Sequence, residues 1–189
     1  MTPRPSDEDA QLSRACRHGD SRAWSRLVRR FSPQVYRLAL RMLGQRQEAE
    51  DACQEVFVRI HRSFDTYDAT RPLSPWVSRI TYNVCLRRLQ RAAARRESQN
   101  GAIDERPDDG TRSPEERASM SEVEQVLEGY LDQLSAQDRA LLVMRYRDGL
   151  SDAEVAEATG MPVGTVKTRI FRARARLRER LAPLVRAET

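Results

Sequence analysis

The 189-residue sequence has only three cysteines and two histidines, and this scarcity excludes several classes of site. Cys16, Cys53 and Cys85 stand far apart and form no CxxC pair, so neither a zinc knuckle nor a dithiol redox motif is indicated. We expect each thiol to pack as a small apolar side chain in a reducing cytoplasm. His18 and His61 add no metal-binding spacing, so the sequence predicts no metal and no cofactor.

Long apolar runs and catalytic motifs are missing as well. A membrane-spanning helix needs about 20 apolar residues, and the apolar runs here are far shorter, so we predict a cytoplasmic protein without a membrane span. The sequence contains no P-loop, no GxGxxG segment and no Ser/His/Asp spacing, which argues against an enzyme. Helical periodicity recurs throughout while strand signals are weak, so the predicted fold class is all-α.

Charge is strongly segregated, although the 33 basic and 28 acidic residues nearly balance. The segment from Ala69 to Arg96 holds seven arginines and no acid, whereas Glu97 to Arg117 holds seven acids. The acidic segment has no apolar period and is interpreted as a flexible tether; the alternative is a negative strand that occupies a nucleic-acid path. The predicted divisions are an extension with a first helix (1–19), a helical domain (20–96), the linker (97–117) and a second helical domain (118–185).

Three helices are predicted in the first domain. Within residues 20–96, the first predicted helix is capped by Asp20 and ends at Gly44, and Ser32-Pro33 is expected to split or kink it. The second covers roughly Arg46 to Ser63, and its apolar stripe leaves Asp51, Gln54 and Glu55 facing outward. The third begins near Ser74-Pro75 and runs past Arg91.

Aromatic residues surround the start of the third helix, next to its arginine-rich end. Phe64, Tyr67, Trp76 and Tyr82, with Asn83, fit a surface on which unpaired bases stack while arginines hold the backbone. The alternative is that Trp76 and Tyr82 belong to the core, and for Trp76 that alternative is favoured.

The C-terminal half predicts a helix-turn-helix. A helix begins at the Ser135 box and ends at Gly149, and a second begins at the S-x-x-E capping box of Ser151. Gly160 permits a tight turn into a basic helix that starts near Met161. The predicted buried stripe of this helix is Val163, Val166, Ile170, Ala173, Leu177 and Leu181. The residues predicted to face outward, toward DNA, are Thr165, Lys167, Thr168, Phe171 and Arg172.

Taken in order, these segments are recognisable. VYRLALRMLGQRQEAEDACQEVFVRIHRSF, WVSRITYNVCLRRL and LSDAEVAEATGMPVGTVKTRIFRARARL together resemble the extracytoplasmic-function (ECF, group 4) sigma factors of bacterial RNA polymerase, in the sigma-70 family. The resemblance covers about Asp20 to Leu184. It implies two helical domains, a sigma2-like bundle and a sigma4-like helix-turn-helix domain, and promoter recognition, DNA melting and transcription initiation.

The resemblance also implies roles for particular residues. Core polymerase would be bound, at its β′ clamp, by Asp51, Gln54 and Glu55, and the β flap would be a further contact. The melted −10 element would be read by Asp68, Arg71, Ser74, Asn83, Arg87, Arg88 and Arg91. The −35 element would be read by Thr165, Lys167, Thr168, Phe171 and Arg172. An anti-sigma factor is implied as a further partner. The alternative is a stand-alone helix-turn-helix transcriptional regulator, against which the segment DACQEVF in the first domain argues.

Overall fold

The computed structural model describes residues 7–98 and 121–187, and these residues are helical with no strand among them. The helices are α1 (Asp7–Arg17), α2 (Ser21–Leu43), α3 (Arg46–Ser63), α4 (Leu73–Ser98), α5 (Glu122–Gln133), α6 (Ala136–Leu142), α7 (Asp152–Thr159) and α8 (Val163–Ala187). The all-α prediction is confirmed. Nearly all of the predicted linker, from residue 99 to residue 117, lies outside the described residues.

The ends of α2 follow from two residues of the sequence. The Asp20 carboxylate accepts a hydrogen bond of 2.8 Å from the Arg22 amide, and Gly44 ends the helix with φ 78°. Of the split or kink predicted at Pro33, the split is wrong, because α2 is continuous through this residue. The carbonyl that loses its partner belongs to Arg29, on the exposed side of the helix where water can replace the missing N–H. The core-facing side keeps packing on both sides of the proline.

The core of the N-terminal half forms where α2 lies against α3 and α4. Leu27, Val35 and Leu38 of α2 have no exposed surface, and neither do Val56 and Ile60 of α3. Because a buried side chain of this size contributes about 1.5–3 kcal/mol, this apolar contact dominates the stability of the bundle. The short 3₁₀ turn Phe64–Thr66 then leads α3 toward the loop before α4.

Helix α5 is not among the sequence-predicted helices, although its signal was available. Ser121 and Glu124 form the same reciprocal capping box as Ser151 and Glu154. The buried Tyr130 hydroxyl donates a 2.6 Å hydrogen bond to the Ala173 carbonyl of α8. Helix α5 therefore supports the basic helix from behind.

The two halves pack against each other and share one apolar core. Arg37 of α2 pairs with Asp148 at 2.7 Å, and Arg41 of α2 pairs with Glu128 of α5 at 2.6 Å. Arg71, in the loop before α4, forms a two-pronged pair with Glu157 of α7. Contacts between arginines of the first half and acids of the second thus hold this arrangement together, beside the apolar contact.

Candidate nucleic-acid interface

The turn that leads into α8 is built by local backbone chemistry. Helix α7 ends at Gly160, whose φ of 73° is a left-handed conformation that favours glycine. The Pro162 carbonyl accepts a 3.1 Å hydrogen bond from the Val166 amide, so Pro162 precedes the helix and α8 begins at Val163. The predicted start near Met161 is therefore early by two residues.

The inward stripe of α8 is confirmed at its centre and wrong at its start. Val166, Ile170 and Ala173 are buried, whereas Val163 is 40% exposed. Met161, in the turn before the helix, packs against the core at this end instead of Val163. Further along, Leu177 and Leu181 are half-buried.

The outward face of α8 carries the residues that the sequence predicted to meet DNA. All of them are exposed: Thr165, Lys167, Thr168, Phe171 and Arg172. Phe171 decides between a core and a surface role, because 72% of this large apolar side chain is exposed. Two cations beside an exposed ring and two hydroxyls can contact phosphates, base edges and a thymine methyl group.

Arg169 was missed by sequence reasoning, and it holds α8 in place. Its Nε lies 2.6 Å from the Asp138 carboxylate of α6. Burial alone would raise the pKa of Asp138, but hydrogen bonds from Arg169 and Ser135 outweigh it and the pKa is lowered. The spacing could have revealed this role, since position 169 lies three residues after Val166 and four before Ala173, beside the buried stripe.

Two of the later arginines of α8 contact other parts of the C-terminal half. Arg180 donates a 2.5 Å hydrogen bond to Gln133 and lies over the Tyr130 ring at 5.6 Å. The Arg174 guanidinium lies 6.0 Å from the Tyr146 ring. The outward face near the start of α8 is therefore chemically distinct from its later turns.

A second surface lies on α3, where Asp51 and Gln54 are exposed. Glu55 is different, because its carboxylate accepts hydrogen bonds from Arg59 at 2.7 Å and from Arg88 of α4 at 3.1 Å. Burial would raise the pKa of Glu55, but these two arginines outweigh it and lower the pKa. Arg88 also pairs with Glu48 at 3.1 Å. The structure thus joins Arg88, predicted for DNA, to Glu55, predicted for polymerase.

The remaining residues predicted for the −10 element cluster around the loop before α4. Asp68 is exposed, and side-chain and backbone hydrogen bonds from its own loop lower its pKa. Arg71 is engaged by Glu157, and the Ser74 hydroxyl donates to Gln34 at 3.2 Å. Along α4 the exposed members are Asn83, Arg87 and Arg91.

The aromatic residues near this loop mostly form core. Phe64, Tyr67 and Tyr82 are at most 3% exposed, so their predicted role as stacking platforms for bases is wrong in this arrangement. Trp76 is half-buried, with its ring 5.1 Å from the Tyr67 ring. Aromatic rings that pack against each other remove more apolar surface from water than rings at exposed loop positions would. The core interpretation favoured for Trp76 agrees with this contact.

The chain matches two family models, Sigma-70 region 2 over residues 27–95 and Sigma-70 region 4 over residues 124–177. It is 33% identical over 174 residues to the ECF RNA polymerase sigma factor SigW of Bacillus subtilis, covering 88% of this chain and 92% of SigW. It is 36% identical over 187 residues to ECF sigma factor SigE of Mycolicibacterium smegmatis, covering 94% of this chain and 70% of SigE. The chain belongs to the ECF sigma factors.

The fold of this sigma factor is also similar to a solved one. The sigma factor RpoE of Bartonella quintana, solved with the anti-sigma factor NepR, aligns with a TM-score of 0.66 at 24% identity. The alignment covers 79% of this chain and 91% of RpoE. As an ECF sigma factor, the protein directs transcription initiation, and the stand-alone regulator is not favoured.

In this sigma factor a cavity of about 360 Å³ lies between the loop, α4 and α7. Its basic and polar lining includes Arg71, Arg79 and Asn83, and its far wall is formed by Glu154 and Glu157 of α7. Acidic side chains of α7 therefore share this cavity with three of the predicted −10 residues, Asp68, Arg71 and Asn83.

Within residues 7–98 and 121–187, no group of His, Cys, Asp and Glu is arranged to hold a metal ion. Over the same residues, no helix is long and apolar enough to cross a membrane. Burial raises the pKa of the Cys16 and Cys53 thiols to about 11 and that of Cys85 to about 12, so these thiols stay protonated at neutral pH.

Proposed function

We propose that this sigma factor brings core RNA polymerase to promoters through three surfaces, each defined by residues. The polymerase face consists of Asp51, Gln54 and Glu55 on α3. The −35 face consists of Thr165, Lys167, Thr168, Phe171 and Arg172 on α8. The −10 surface consists of Asp68, Arg71, Ser74, Asn83, Arg87, Arg88 and Arg91.

The observation that carries the proposal is the −35 face. A helix held from behind by Arg169 and Tyr130 presents Lys167, Phe171 and Arg172 to solvent. A recognition helix needs this arrangement, because its early turns enter the major groove while its opposite side stays on the domain. An exposed Phe between cations has a use against a thymine methyl group and little use in water.

The −10 surface takes a different kind of DNA. Exposed Asn83 and Arg87, with Arg71 at the cavity, suit unpaired bases and a single-stranded backbone. Because Glu157 engages Arg71 in the packed arrangement, the two halves separate before this surface takes promoter DNA. We assign residues 20–96 to the sigma2-like domain and 118–185 to the sigma4-like domain, joined by the acidic linker 97–117, with residues 1–19 preceding them.

We assign the chain to group 4, with the β′ clamp and the β flap as its contacts on core polymerase. Its activity is that of an initiation subunit in the cytoplasm, without an enzymatic reaction of its own. An anti-sigma factor is a further partner, supported at the level of the fold by the RpoE–NepR complex.

Run-off transcription with core RNA polymerase on a library of promoter fragments tests the proposal. We expect the chain to add promoter-specific transcripts that core polymerase alone does not make. Asp51→Lys should abolish these transcripts by weakening the binding of core polymerase. The melting temperature should stay near that of the wild type, because exposed carboxylates contribute little stability. A tight footprint of the isolated chain over both promoter elements, without added transcripts, would establish the stand-alone regulator instead.

A further inference from the structure

The loop that leads into α4, residues 67–72, is tied at both of its ends to α1. At its start, Arg17 of α1 donates a hydrogen bond through Nη2 to the Tyr67 carbonyl. Just past its end, the Leu73 amide donates a 3.0 Å hydrogen bond to Oδ2 of Asp9, also on α1. One helix, eleven residues long, therefore sets the positions of both ends of the loop.

The hydrogen bond between the Leu73 amide and the Asp9 carboxylate is buried. Asp9 is 4% exposed and Leu73 is fully buried. Leu73 is the first residue of α4, and the first amides of a helix have no partner within that helix. Asp9 supplies an acceptor from another helix, and Arg30 of α2 lies 2.6 Å from its second oxygen. Removing the Asp9 carboxylate would leave a buried amide without its acceptor, a costly change.

Inside the loop, further hydrogen bonds transmit this placement to residues of the −10 surface. The Tyr67 hydroxyl donates to the Arg71 carbonyl, and the Arg71 amide donates to the Asp68 carbonyl at 3.1 Å. Burial, with help from the Asp9 and Asp68 carboxylates, raises the pKa of Tyr67 to about 12, so its hydroxyl keeps the proton that it donates. The backbone of Asp68 and Arg71 therefore follows the position of Tyr67, which Arg17 fixes.

Helix α1 lies outside the matched Sigma-70 segments, and its contacts with the loop do not involve the C-terminal half. Helix α1 ends at Arg17, before the segment matched by the Sigma-70 region 2 model, which begins at residue 27. All the residues involved belong to the N-terminal half, so the ties to α1 persist when α7 moves away from the loop.

We propose that α1 positions the loop for promoter recognition, with Asp9 and Arg17 as positioning residues that set −10 selectivity without touching DNA. The proposal rests on the assignment of the loop to the −10 element. A loop whose ends are held in place already has the conformation that binds the preferred −10 bases. A loosened loop can rearrange around other bases, so the difference in binding free energy between preferred and other bases becomes smaller.

The experiment uses holoenzyme assembled from core polymerase and the full chain, with run-off transcription from matched templates. One template set carries single-base changes in the −10 element, and another carries them in the −35 element. We expect Arg17→Ala and Asp9→Ala to reduce discrimination among −10 templates by up to about tenfold, the effect of losing roughly one hydrogen bond. Discrimination among −35 templates and affinity for core polymerase should stay at wild-type values.

Conservative variants separate positioning from general loss of stability. Arg17→Lys keeps a donor for the Tyr67 carbonyl, and Asp9→Asn keeps an acceptor for the Leu73 amide, so both should retain most of the −10 discrimination. Arg14→Ala, an exposed arginine of the same helix, should behave as wild type. If Asp9→Ala does not fold, Arg17→Ala carries the test, because Arg17 is exposed.

Asn83→Ala distinguishes failure of this inference from failure of the proposed function. Lost −10 discrimination in Asn83→Ala with unchanged discrimination in Arg17→Ala would overturn the role of α1 alone. Unchanged discrimination in Asn83→Ala would overturn the assignment of the −10 surface itself. Equal losses on −10 and −35 templates in Arg17→Ala would also overturn the positioning role.

Discussion

The two surfaces proposed to read DNA differ in what already occupies them. On the −35 face the side chains are exposed, and the Thr168 hydroxyl donates a 2.9 Å hydrogen bond to the Gly164 carbonyl of the same helix. On the −10 surface Arg71 is bound by Glu157, Arg88 by Glu48 and Glu55, and Ser74 by Gln34. The side chains of the −35 face are thus exposed, while several of those on the proposed −10 surface are already engaged by other side chains of the protein.

This difference indicates how the chain can delay the binding of unpaired bases by the proposed −10 surface. Ion pairs that are more than about a third exposed contribute little stability, typically below about 1 kcal/mol. The Arg71–Glu157 pair, with both side chains 37% exposed, belongs to this class. Binding to polymerase and to promoter DNA can therefore replace it, whereas the buried contacts of each half stay intact.

The largest effect is expected at the Arg37–Asp148 ion pair, which joins the two halves and buries the Asp148 carboxylate. Arg37→Ala leaves the Asp148 carboxylate, 1% exposed, without its cation. Breaking a buried pair typically costs about 3–5 kcal/mol, and we expect about 2 kcal/mol here because Arg37 is partly exposed and the halves can separate to hydrate Asp148. Urea unfolding measures the loss of stability, and the hydrodynamic radius measures the separation of the halves. Arg62→Ala, on the exposed side of α3, is the control, and equal values for the two variants would contradict this view of the contact.

The −35 face should show the next largest effect. Arg172→Ala should cost about 1–3 kcal/mol and relax the preference at one −35 position, if its guanidinium grips a guanine edge. Arg178→Ala lies two turns further along and should weaken transcription about equally on all −35 sequences, or not at all. Run-off transcription on −35 template sets compares the two, and identical base-specific losses would remove the distinction between early and late turns of α8.

The packed arrangement should also respond to pH through Asp148. Burial raises the pKa of Asp148, although Arg37 and then Arg147 act to lower it. The packed state therefore binds a proton more tightly than the separated state, so lowering the pH through the raised pKa favours packing and raising it favours separation. The change should be smaller than that of Arg37→Ala, since the Arg37 side chain stays in place beside Asp148. A hydrodynamic radius that grows as the pH is lowered from neutral toward the ordinary pKa of a carboxyl group would contradict the sign.

A smaller effect is expected when the cover of the −10 surface is loosened. Glu157→Gln removes the charge that holds Arg71, and Arg71 becomes available to a phosphate. The free chain should bind a single-stranded −10 oligonucleotide up to about fivefold more tightly, as the loss of a partly exposed ion pair allows. Glu179→Gln, an exposed acid of α8, is the control for the lost negative charge. Equal gains in the two variants would attribute the effect to net charge alone.

The smallest stability effect is expected at Phe171. With 72% of its side chain exposed, Phe171→Ala should change the free energy of unfolding by no more than about 0.5 kcal/mol. Transcription from the cognate promoter should nevertheless fall. A thermal melt beside a run-off assay checks both, and a large drop in melting temperature would place the ring in the core and take it out of the −35 face.

What the sequence predicted well depends on chemistry within a few residues. Asp20, Gly44 and the Ser151 box fix helix ends through their own hydrogen bonds or backbone conformation, so the bounds of α2 and α7 could be read directly. The outward face of α8 could be read from the helical period of its apolar residues. What it missed depends on contacts between distant segments. Nothing local indicates that Glu157 meets Arg71 or that Asp9 meets Leu73. The burial of Tyr67 likewise depends on contacts with other elements, Arg17 of α1 and Trp76 of α4.

The separation of the two halves is the most direct test of the account. Fluorophores placed at exposed positions 62 on α3 and 178 on α8 report the distance between the halves by single-molecule energy transfer. The account predicts one short distance in the free chain and a longer one in holoenzyme on promoter DNA, with Glu157→Gln shifting part of the free population to the longer distance. An unchanged distance in holoenzyme that transcribes from the promoter would contradict it, because the −10 surface would then be reading DNA while still covered by α7.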